Sequence, residues 1–312
     1  MSAYTIILYY KYTHVADPEG FMNWHRSLCE KLGLKGRVLI AHEGINGTLE
    51  GTPENIKTYC EALHAQNGSE GTFGNFSDVV FKTSPGTGDS FPKLKIKVRQ
   101  EIVTARLGED DVDPNKLTGV HLAPELLKQW YENGEDFQII DMRNSYEFEV
   151  GHFKGSIDPG LRNFRDLPNI LPKIEQFKEK KVVTVCTGGV RCEKASGYLM
   201  KKGFKDVYQL DGGMAKYMEK FPGQDFDGAL YVFDNRITMD TTKERAIVGK
   251  CHHCGVACER FVNCPYDVCH YQFLCCEKCE KETPDLQKLC PMKCNTLWNR
   301  IKALLSHRFK IV

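Results

Sequence analysis

The sequence lacks an excess of charge of either sign, and it lacks an apolar run of membrane-spanning length. Its 42 basic and 41 acidic residues leave a net charge of +1, so nucleic-acid binding would need a local basic patch. The N-terminal stretch MSAYTIILYYKYTHV alternates like a β-strand and has no basic region followed by a long apolar segment. We therefore expect a cytoplasmic protein with neither a signal peptide nor a membrane partner. No flavin, haem or iron motif is visible either.

Cysteine, by contrast, is plentiful and unevenly distributed. Ten of the 14 cysteines lie between Cys251 and Cys294. In a reducing cytosol such a cluster favours metal binding or redox chemistry over disulfides. Eight of the ten form close pairs: Cys251 and Cys254, Cys264 and Cys269, Cys276 and Cys279, Cys290 and Cys294. At four thiolates per ion they predict about two structural Zn²⁺ sites, with Cys258 and Cys275 left over. The alternative is a tail of free, oxidation-prone cysteines.

The stretch KVVTVCTGGVRCEKAS, residues 181–196, organises the rest of the chain. A short β-branched run predicts a buried strand that ends at Cys186, and a helix is predicted to begin at Arg191. Between them lies a glycine loop of four residues, Thr187, Gly188, Gly189 and Val190. The unpaired N–H groups of a helix N-terminus and the Arg191 cation both favour the thiolate form of Cys186. The loop therefore predicts a nucleophilic cysteine, and a buried structural cysteine is the alternative.

The first hundred or so residues follow a β-α-β-β-α-β order, which is typical of a ferredoxin-like sandwich. Strands are predicted at Tyr4–Tyr12, 36–41, 48–50 and 94–104, and the segment 43–47 is predicted to be a turn. Helices are predicted to begin after Asp17 and at Pro53. Around the last strand, period two places four cations on one face: Lys93, Lys95, Lys97 and Arg99. They form either a solvated sheet edge or a track for phosphates.

Four segments follow from these patterns. Residues 1–106 form the sandwich, and 107–120 form an acidic linker. In residues 121–222 strands and helices alternate, which predicts a parallel sheet covered on both faces. Residues 223–312 hold a connector, with one strand at 230–233, and then the cysteine-rich module. In the third segment Asp141 and Arg143 follow a buried strand, where they are either catalytic or, as we prefer, braces for the active loop.

The string CTGGVR, Cys186 to Arg191, resembles the active-site loop of rhodanese-type sulfurtransferases. The segments IIDMR (139–143), GHFKGSI (151–157) and VYQLDGG (207–213) resemble the other signatures of that fold. The departure is Cys192, which ordinary rhodaneses do not have. The string CTGGVRCEKAS, together with GRVLIAHEGINGTLEG (36–51) and the cysteine-rich C-terminal segment, resembles the oxygen-dependent tRNA wobble-uridine hydroxylases.

That resemblance implies an α/β multidomain protein: a ferredoxin-like, or acylphosphatase-like, α+β sandwich, then a rhodanese-like parallel-sheet domain, then a small zinc-stapled module. It implies hydroxylation of the wobble uridine in the anticodon stem-loop of tRNA to 5-hydroxyuridine, with molecular oxygen as co-substrate. The residue types themselves suggest the route: Cys186 would be the nucleophile, Cys192 would resolve or relay oxidation, and Arg191 would stabilise the thiolate or an oxyanion. The basic strand, with Arg162 and Arg165 near the mouth of the pocket, would contact tRNA.

Two other functions compete with this one. The loop chemistry suits a sulfurtransferase that carries a persulfide on Cys186 equally well. A non-enzymatic redox or zinc-dependent binding module is the second rival, although it leaves the glycine-arginine loop unexplained. Cys192 and the flanking domains favour the hydroxylase. The sequence pattern implies no particular oligomeric state.

Overall fold

The computed structural model describes residues 2–240, 242, 244–266, 269–283 and 290–292. Its N-terminal part is a five-stranded sheet with two helices packed on one face. The elements are β1 Tyr4–Tyr12, α1 Pro18–Lys31, β2 Lys35–Ala41, β3 Gly44–Gly51, α2 Pro53–His64, β4 Lys82–Gly86 and β5 Leu94–Val98. The strand order is β4-β1-β3-β2-β5, in which only β2 and β5 are parallel neighbours. The first four strands of that order have the ferredoxin-like arrangement, as predicted.

Two details of this sheet differ from the prediction. The fourth strand of the sandwich is β4, and the strand predicted at 94–104 is an additional edge strand that ends at Val98. It ends there because Val98 pairs with Ile40 and β2 has only one further residue to offer. The predicted turn at 43–47 is wrong, since β3 already begins at Gly44. Glycine is needed at that position because φ is +143° and a Cβ would lie 2.0 Å from the Lys11 carbonyl oxygen.

The middle of the chain forms a four-stranded sheet in the order β6-β10-β9-β7, and all its neighbouring strands are parallel. Short 3₁₀ turns occur at Gly108–Asp110, Phe164–Ile170 and Glu175–Phe177. The remaining elements are β6 Val120–Leu122, α3 Pro124–Asn133, β7 Phe137–Asp141, α4 Ser145–Val150, β8 Gly151–Phe153, α5 Leu171–Ile174, β9 Lys181–Val185, α6 Val190–Lys201, β10 Asp206–Leu210 and α7 Gly213–Lys220.

Successive residues of these strands enter two separate cores, as the prediction of a sheet covered on both faces requires. Ile140 and Val182 pack with Tyr198 of α6, whereas Ile139 and Val183 pack with α3 and α7. The segment predicted as an acidic linker also contributes to the first core through buried apolar residues, Leu107 and Val112. The linker is therefore packed against the core of the parallel sheet and is not a solvent-exposed tether.

The C-terminal part contains only short elements among the residues that the structure describes. They are β11 Phe226–Gly228, β12 Leu230–Tyr231, β13 Thr238–Met239, β14 Phe261–Asn263, β15 Gln272–Leu274 and α8 Glu277–Glu282. The prediction of a single connector strand at 230–233 is wrong, because the connector holds three: β11 pairs with β8, and β12 pairs with β13. In the described part of the chain, no helix is both long and apolar enough to cross a membrane.

Candidate active site

The predicted strand, loop and helix around Cys186 are present. Cys186 follows β9, and α6 begins at Val190 with Gly189 as its N-cap. Gly189 has φ of +101°, in the left-handed region that a side chain would strain. This conformation directs the Gly189 N–H toward the cysteine, and it donates a hydrogen bond to Cys186 Sγ at 3.1 Å. The loop thus folds around the sulfur, as the sequence predicted.

The surroundings of Cys186 favour its thiolate. Burial alone would raise the pKa of this thiol, but a hydrogen bond from the Cys192 thiol, the charge of Arg191 and the backbone amides of Arg191 and Cys192 together hold the pKa well below its usual value. The same pairing and burial raise the pKa of Cys192. The two shifts are opposite in sign, so Cys186 is the thiol of the pair whose thiolate is favoured.

Arg191 is held in place by a buried carboxylate. Its Nη1 and Nη2 donate to Glu147 Oε1 and Oε2 at 2.7 and 2.9 Å. Glu147 is fully buried and also accepts from the Asn144 N–H at the start of α4. The guanidinium carbon lies 5.7 Å from the centre of the Phe233 ring. Such a bidentate pair fixes both the position and the charge of the cation beside the active loop.

Asp141 and Arg143 lie one strand away from the loop, on and after β7. Arg143 is fully buried. Its Nη2 donates to Asp141 Oδ2 at 2.6 Å and to the Gly151 carbonyl oxygen at 2.7 Å. Neither side chain has a described contact with Cys186, but the Met142 N–H between them donates to the Val185 carbonyl oxygen at the end of β9. Their bracing role stays a prediction.

The face of the N-terminal sheet that carries no helices covers the active loop. A Cβ added at Gly188 would lie 2.8 Å from a Leu8 methyl carbon, and one at Gly189 would lie 2.8 Å from the Tyr10 hydroxyl. The Tyr12 hydroxyl donates to the Val190 carbonyl oxygen at 3.3 Å. Cys186 consequently has no exposed surface. Sequence reasoning did not find this cover, because it depends on the docking of two distant parts of the chain.

Glu193 is one of two charged residues that connect this cover to the loop. It accepts hydrogen bonds from Tyr10, Thr118, His121 and Gln209 at 2.9 to 3.0 Å. Although burial opposes ionisation, His121, Gln209 and Tyr10 hold the Glu193 pKa below its usual value. The carboxylate therefore ties β1, the linker and β10 to the first turn of α6.

Lys194 is the second connecting residue. Its side chain is fully buried, and Nζ lies 2.8 Å from Glu43, 3.2 Å from Glu101 and 3.1 Å from Asp111. Two of these carboxylates belong to the N-terminal part and one to the linker. The only sequence signal for Glu193 and Lys194 is their place directly after Cys192, in the first turns of the predicted helix.

A cavity of about 340 Å³ lies at this interface, beside the Gly212 end of α7. Its polar lining includes Tyr10, Lys82, His121, Asp211 and Lys216. The Lys82 ammonium lies 5.1 Å from the centre of the Tyr10 ring. Burial lowers the pKa of Lys82 to about 8, against the opposing charges of Cys186 and Asp211. Lys82 gave no sequence signal, because only the tertiary structure brings β4 next to the loop.

The basic residues predicted to contact tRNA lie in different places. All four of Lys93, Lys95, Lys97 and Arg99 are exposed, and among the described residues they form no ion pair. Ile96 between them is buried, so the predicted alternation is present on edge strand β5. Arg162 instead reaches the cysteine-rich module, where Nη2 lies 3.4 Å from the Cys269 carbonyl oxygen. Arg165 is half-buried in the 3₁₀ turn at Phe164–Ile170.

The cysteine pairs assemble into two clusters. In the first, four sulfurs lie within 4.8 Å of one another: Cys251, Cys254, Cys276 and Cys279. In the second, three sulfurs meet the same limit: Cys264, Cys269 and Cys290. Cys294, the predicted eighth ligand, lies outside the described residues. Four converging thiols fit a tetrahedral metal ion, and Cys258 and Cys275 stand outside both clusters, as predicted.

Three family models match the chain in consecutive segments. An UPF0176 acylphosphatase like domain matches residues 4–102, a rhodanese-like domain matches residues 123–220, and a rhodanase C-terminal model matches residues 227–295. They agree with the ferredoxin-like sheet, the parallel sheet and the cysteine-rich part seen in the structure.

The chain is also similar to curated proteins along most of its length. A protein of Shouchella clausii named tRNA uridine(34) hydroxylase is 47% identical over 283 residues, which cover 89% of this chain and 85% of the relative. Proteins with the same name from Bacillus licheniformis and Staphylococcus aureus are 45% and 46% identical, again over 89% of this chain, and cover 84% and 86% of the relatives. On this similarity, the chain belongs to the tRNA uridine(34) hydroxylase family.

Proposed function

We propose that this protein hydroxylates C5 of the wobble uridine of tRNA, with molecular oxygen as the oxidant and Cys186 as the nucleophile. The observation that carries the proposal is the active loop itself, in which the Gly189 N–H donates to Cys186 Sγ while Cys192 and Arg191 lower the pKa of that thiol. Family membership supports the substrate and the reaction. The paired sulfurs support the route.

In the proposed reaction the Cys186 thiolate adds to C6 of the uracil ring, and the electron pair moves onto C5 as an enolate. The enolate attacks molecular oxygen and takes up one proton, which gives a hydroperoxide on C5. Arg191, fixed by Glu147, balances the negative charge that passes from sulfur to oxygen. Because Cys186 is fully buried, the side chains of β1 that cover the loop must move aside before the base can reach it.

Cys192 then supplies the two electrons that cleave the O–O bond. Its thiol takes the terminal OH, which leaves a C5 alcohol and a sulfenic acid on Cys192. Loss of the C5 proton expels Cys186 from C6 and restores the double bond. The freed Cys186 thiolate attacks the sulfenic sulfur, releases hydroxide and forms a disulfide. One uridine, one oxygen molecule and two thiols thus give 5-hydroxyuridine, one disulfide and one water, and a dithiol reductant of the cytosol regenerates the pair.

The remaining predicted residues have supporting roles in this proposal. Asp141 and Arg143 brace the loop through β7, and the basic strand contacts the phosphates of the anticodon stem-loop. The two cysteine clusters hold structural Zn²⁺, which stabilises the small C-terminal module and takes no part in the reaction.

A sulfurtransferase is the second candidate, favoured by the loop itself. The Gly189 N–H on Cys186 Sγ would support a persulfide as well as a thiolate. The two reactions add different atoms to the nucleoside, oxygen in one and sulfur in the other.

The test is mass spectrometry of nucleosides from tRNA incubated with the protein, air and dithiothreitol. We expect the wobble uridine to gain one oxygen atom, with none gained by Cys186→Ser, which should fold and bind tRNA like the unchanged protein. A gain of sulfur would identify the sulfurtransferase instead. Full activity of Cys186→Ser would contradict the assignment of the nucleophile.

A further inference from the structure

A groove of about 330 Å³ lies where edge strand β5 meets the connector that follows the rhodanese-like sheet. One wall carries Arg37, Lys93 and Lys95, and the other carries Phe233 and Asp234. The groove is distinct from the cavity beside Lys82, and sequence analysis gave no role to Arg37 or Phe233. Its chemistry combines an exposed aromatic ring with cations that have no ion-pair partner in the part of the chain that the structure describes.

Repulsion between the cations of the first wall destabilises the protein when no anion is bound. Arg37 on β2 and Lys95 on β5 are direct neighbours across the parallel pair, and both are exposed. Like charges in directly opposed positions destabilise a sheet, and no ion pair within the described chain offsets them. Asp234, on the opposite wall, is already paired with Arg236 at 2.6 Å, so it does not neutralise them. An extended anion would relieve this repulsion.

The opposite wall presents a large aromatic side chain to solvent. Phe233 is 53% exposed, whereas most large apolar residues that the structure describes are buried. The Arg191 guanidinium lies 5.7 Å from its ring centre, and Tyr231 packs on it with centroids 5.2 Å apart. The Phe233 ring therefore packs against Arg191 and Tyr231, and the rest of its surface is exposed to solvent. Such a ring is suited to stacking on a planar base.

The cations and the active loop share one face of the N-terminal sheet. Arg37 and Lys95 lie on the helix-free face, as do Leu8 and Tyr10, which cover Gly188 and Gly189. Strands β1 and β5 are separated by β3 and β2, so a spacing of about 4.8 Å per strand puts them about 14 Å apart. A chain of nucleotides that follows the groove is thus led toward the loop.

We propose that this groove binds the unpaired loop of an RNA hairpin, with one base stacked on Phe233 and the backbone phosphates on Arg37, Lys93 and Lys95. This inference rests on the proposed function, because it places the RNA that carries the target uridine. Single-stranded RNA fits because it offers closely spaced phosphates together with bases free to stack, whereas the bases of a duplex are already stacked on one another.

The test compares the binding of a fluorescein-labelled anticodon hairpin with that of a fully paired RNA duplex, by fluorescence anisotropy over a series of salt concentrations. Phe233→Leu should weaken hairpin binding by about tenfold, leave duplex binding unchanged and keep the salt dependence. Phe233→Trp should retain affinity, since it keeps the ring. Tyr4→Leu, which alters an aromatic residue on the same sheet that is 37% exposed but outside the groove, is the matched control.

A second experiment tests the proposed phosphate contacts of the three cations. Changing Arg37, Lys93 and Lys95 together to Gln should lower the slope of log affinity against log salt by about 2, because each phosphate contact in single strands contributes about 0.7. Lys57→Gln, an exposed lysine on α2, should leave the slope unchanged. Unaltered thermal melting of each variant shows that the fold is kept.

Three results would overturn the inference. In the first, Phe233→Leu binds the hairpin with unchanged affinity. In the second, Phe233→Leu loses as much affinity for the duplex as for the hairpin. In the third, polyglutamate displaces the labelled hairpin as readily as unlabelled hairpin does. The last result would identify a surface for acidic proteins. If Phe233 and the cations govern hairpin binding but the wobble uridine gains no oxygen, the groove stands and the proposed function fails.

Discussion

The lowering of the Cys186 pKa by its neighbour predicts that Cys192 helps to activate Cys186. A hydrogen bond from the Cys192 thiol is the largest of the effects that lower the Cys186 pKa, ahead of the charge of Arg191. From sequence alone we expected activation to come from the loop and Arg191. The structure instead predicts that the outcome depends on whether the new residue can donate a hydrogen bond.

Cys192→Ala removes the donor, and Cys192→Ser keeps one. A hydrogen bond to a charged group is worth about 1.5–3 kcal/mol, and 1.36 kcal/mol corresponds to one pKa unit. Because the lost bond stabilises the charged form, Cys192→Ala should raise the Cys186 pKa by about one to two units. Cys192→Ser should leave the Cys186 pKa and the stability of the protein nearly unchanged, since the hydroxyl can form hydrogen bonds with Cys186 and Thr184 as the thiol does.

The assay is the rate of alkylation of Cys186 by iodoacetamide between pH 4 and pH 10, followed by mass spectrometry of the peptide that contains it. The midpoint of the pH profile reports the pKa even though burial slows the absolute rate. Both variants should lose hydroxylation, because neither can form a sulfenic acid at position 192. Equal midpoints for Cys192→Ala and the unchanged protein would refute the reasoning, as would full hydroxylation by Cys192→Ser.

Two further predictions concern the metal clusters and the interface over the loop. Elemental analysis of the purified protein should find about two zinc ions per chain. Cys254→Ser should lose one of these ions, whereas the control Cys60→Ser on α2 should lose none. Iron, or no metal in a fully reduced sample, would contradict this prediction. Lys194→Met should lower the free energy of unfolding by about 3–5 kcal/mol, because it leaves three carboxylates without their buried cation. It should also speed alkylation of Cys186 by loosening the cover. Lys202→Met breaks only a partly exposed pair with Asp110, so it should lower the free energy of unfolding far less than Lys194→Met does. Equal destabilisation by the two substitutions in denaturant unfolding would contradict this prediction.

The sequence by itself determined the features that depend on neighbouring residues. Strand, cysteine, glycine loop and helix follow one another within residues 181–201, so composition and the positive φ available to Gly189 were enough to predict them. The alternation around β5 likewise placed Ile96 inside and its lysine neighbours outside, because the period of a strand is local. Close cysteine spacing predicted metal ligands for the same reason.

Only the tertiary structure decided which distant segments meet. It joined Cys251 and Cys254 to Cys276 and Cys279, because the His252 N–H bonds to the Leu274 carbonyl oxygen and so aligns segments more than twenty residues apart. It also buried Cys186 beneath β1, made Lys194 a link between the linker and the N-terminal part, and set Phe233 against Arg191. Periodicity fixes which face a residue occupies, but the partner of that face depends on how the sheets dock, and no local pattern encodes that.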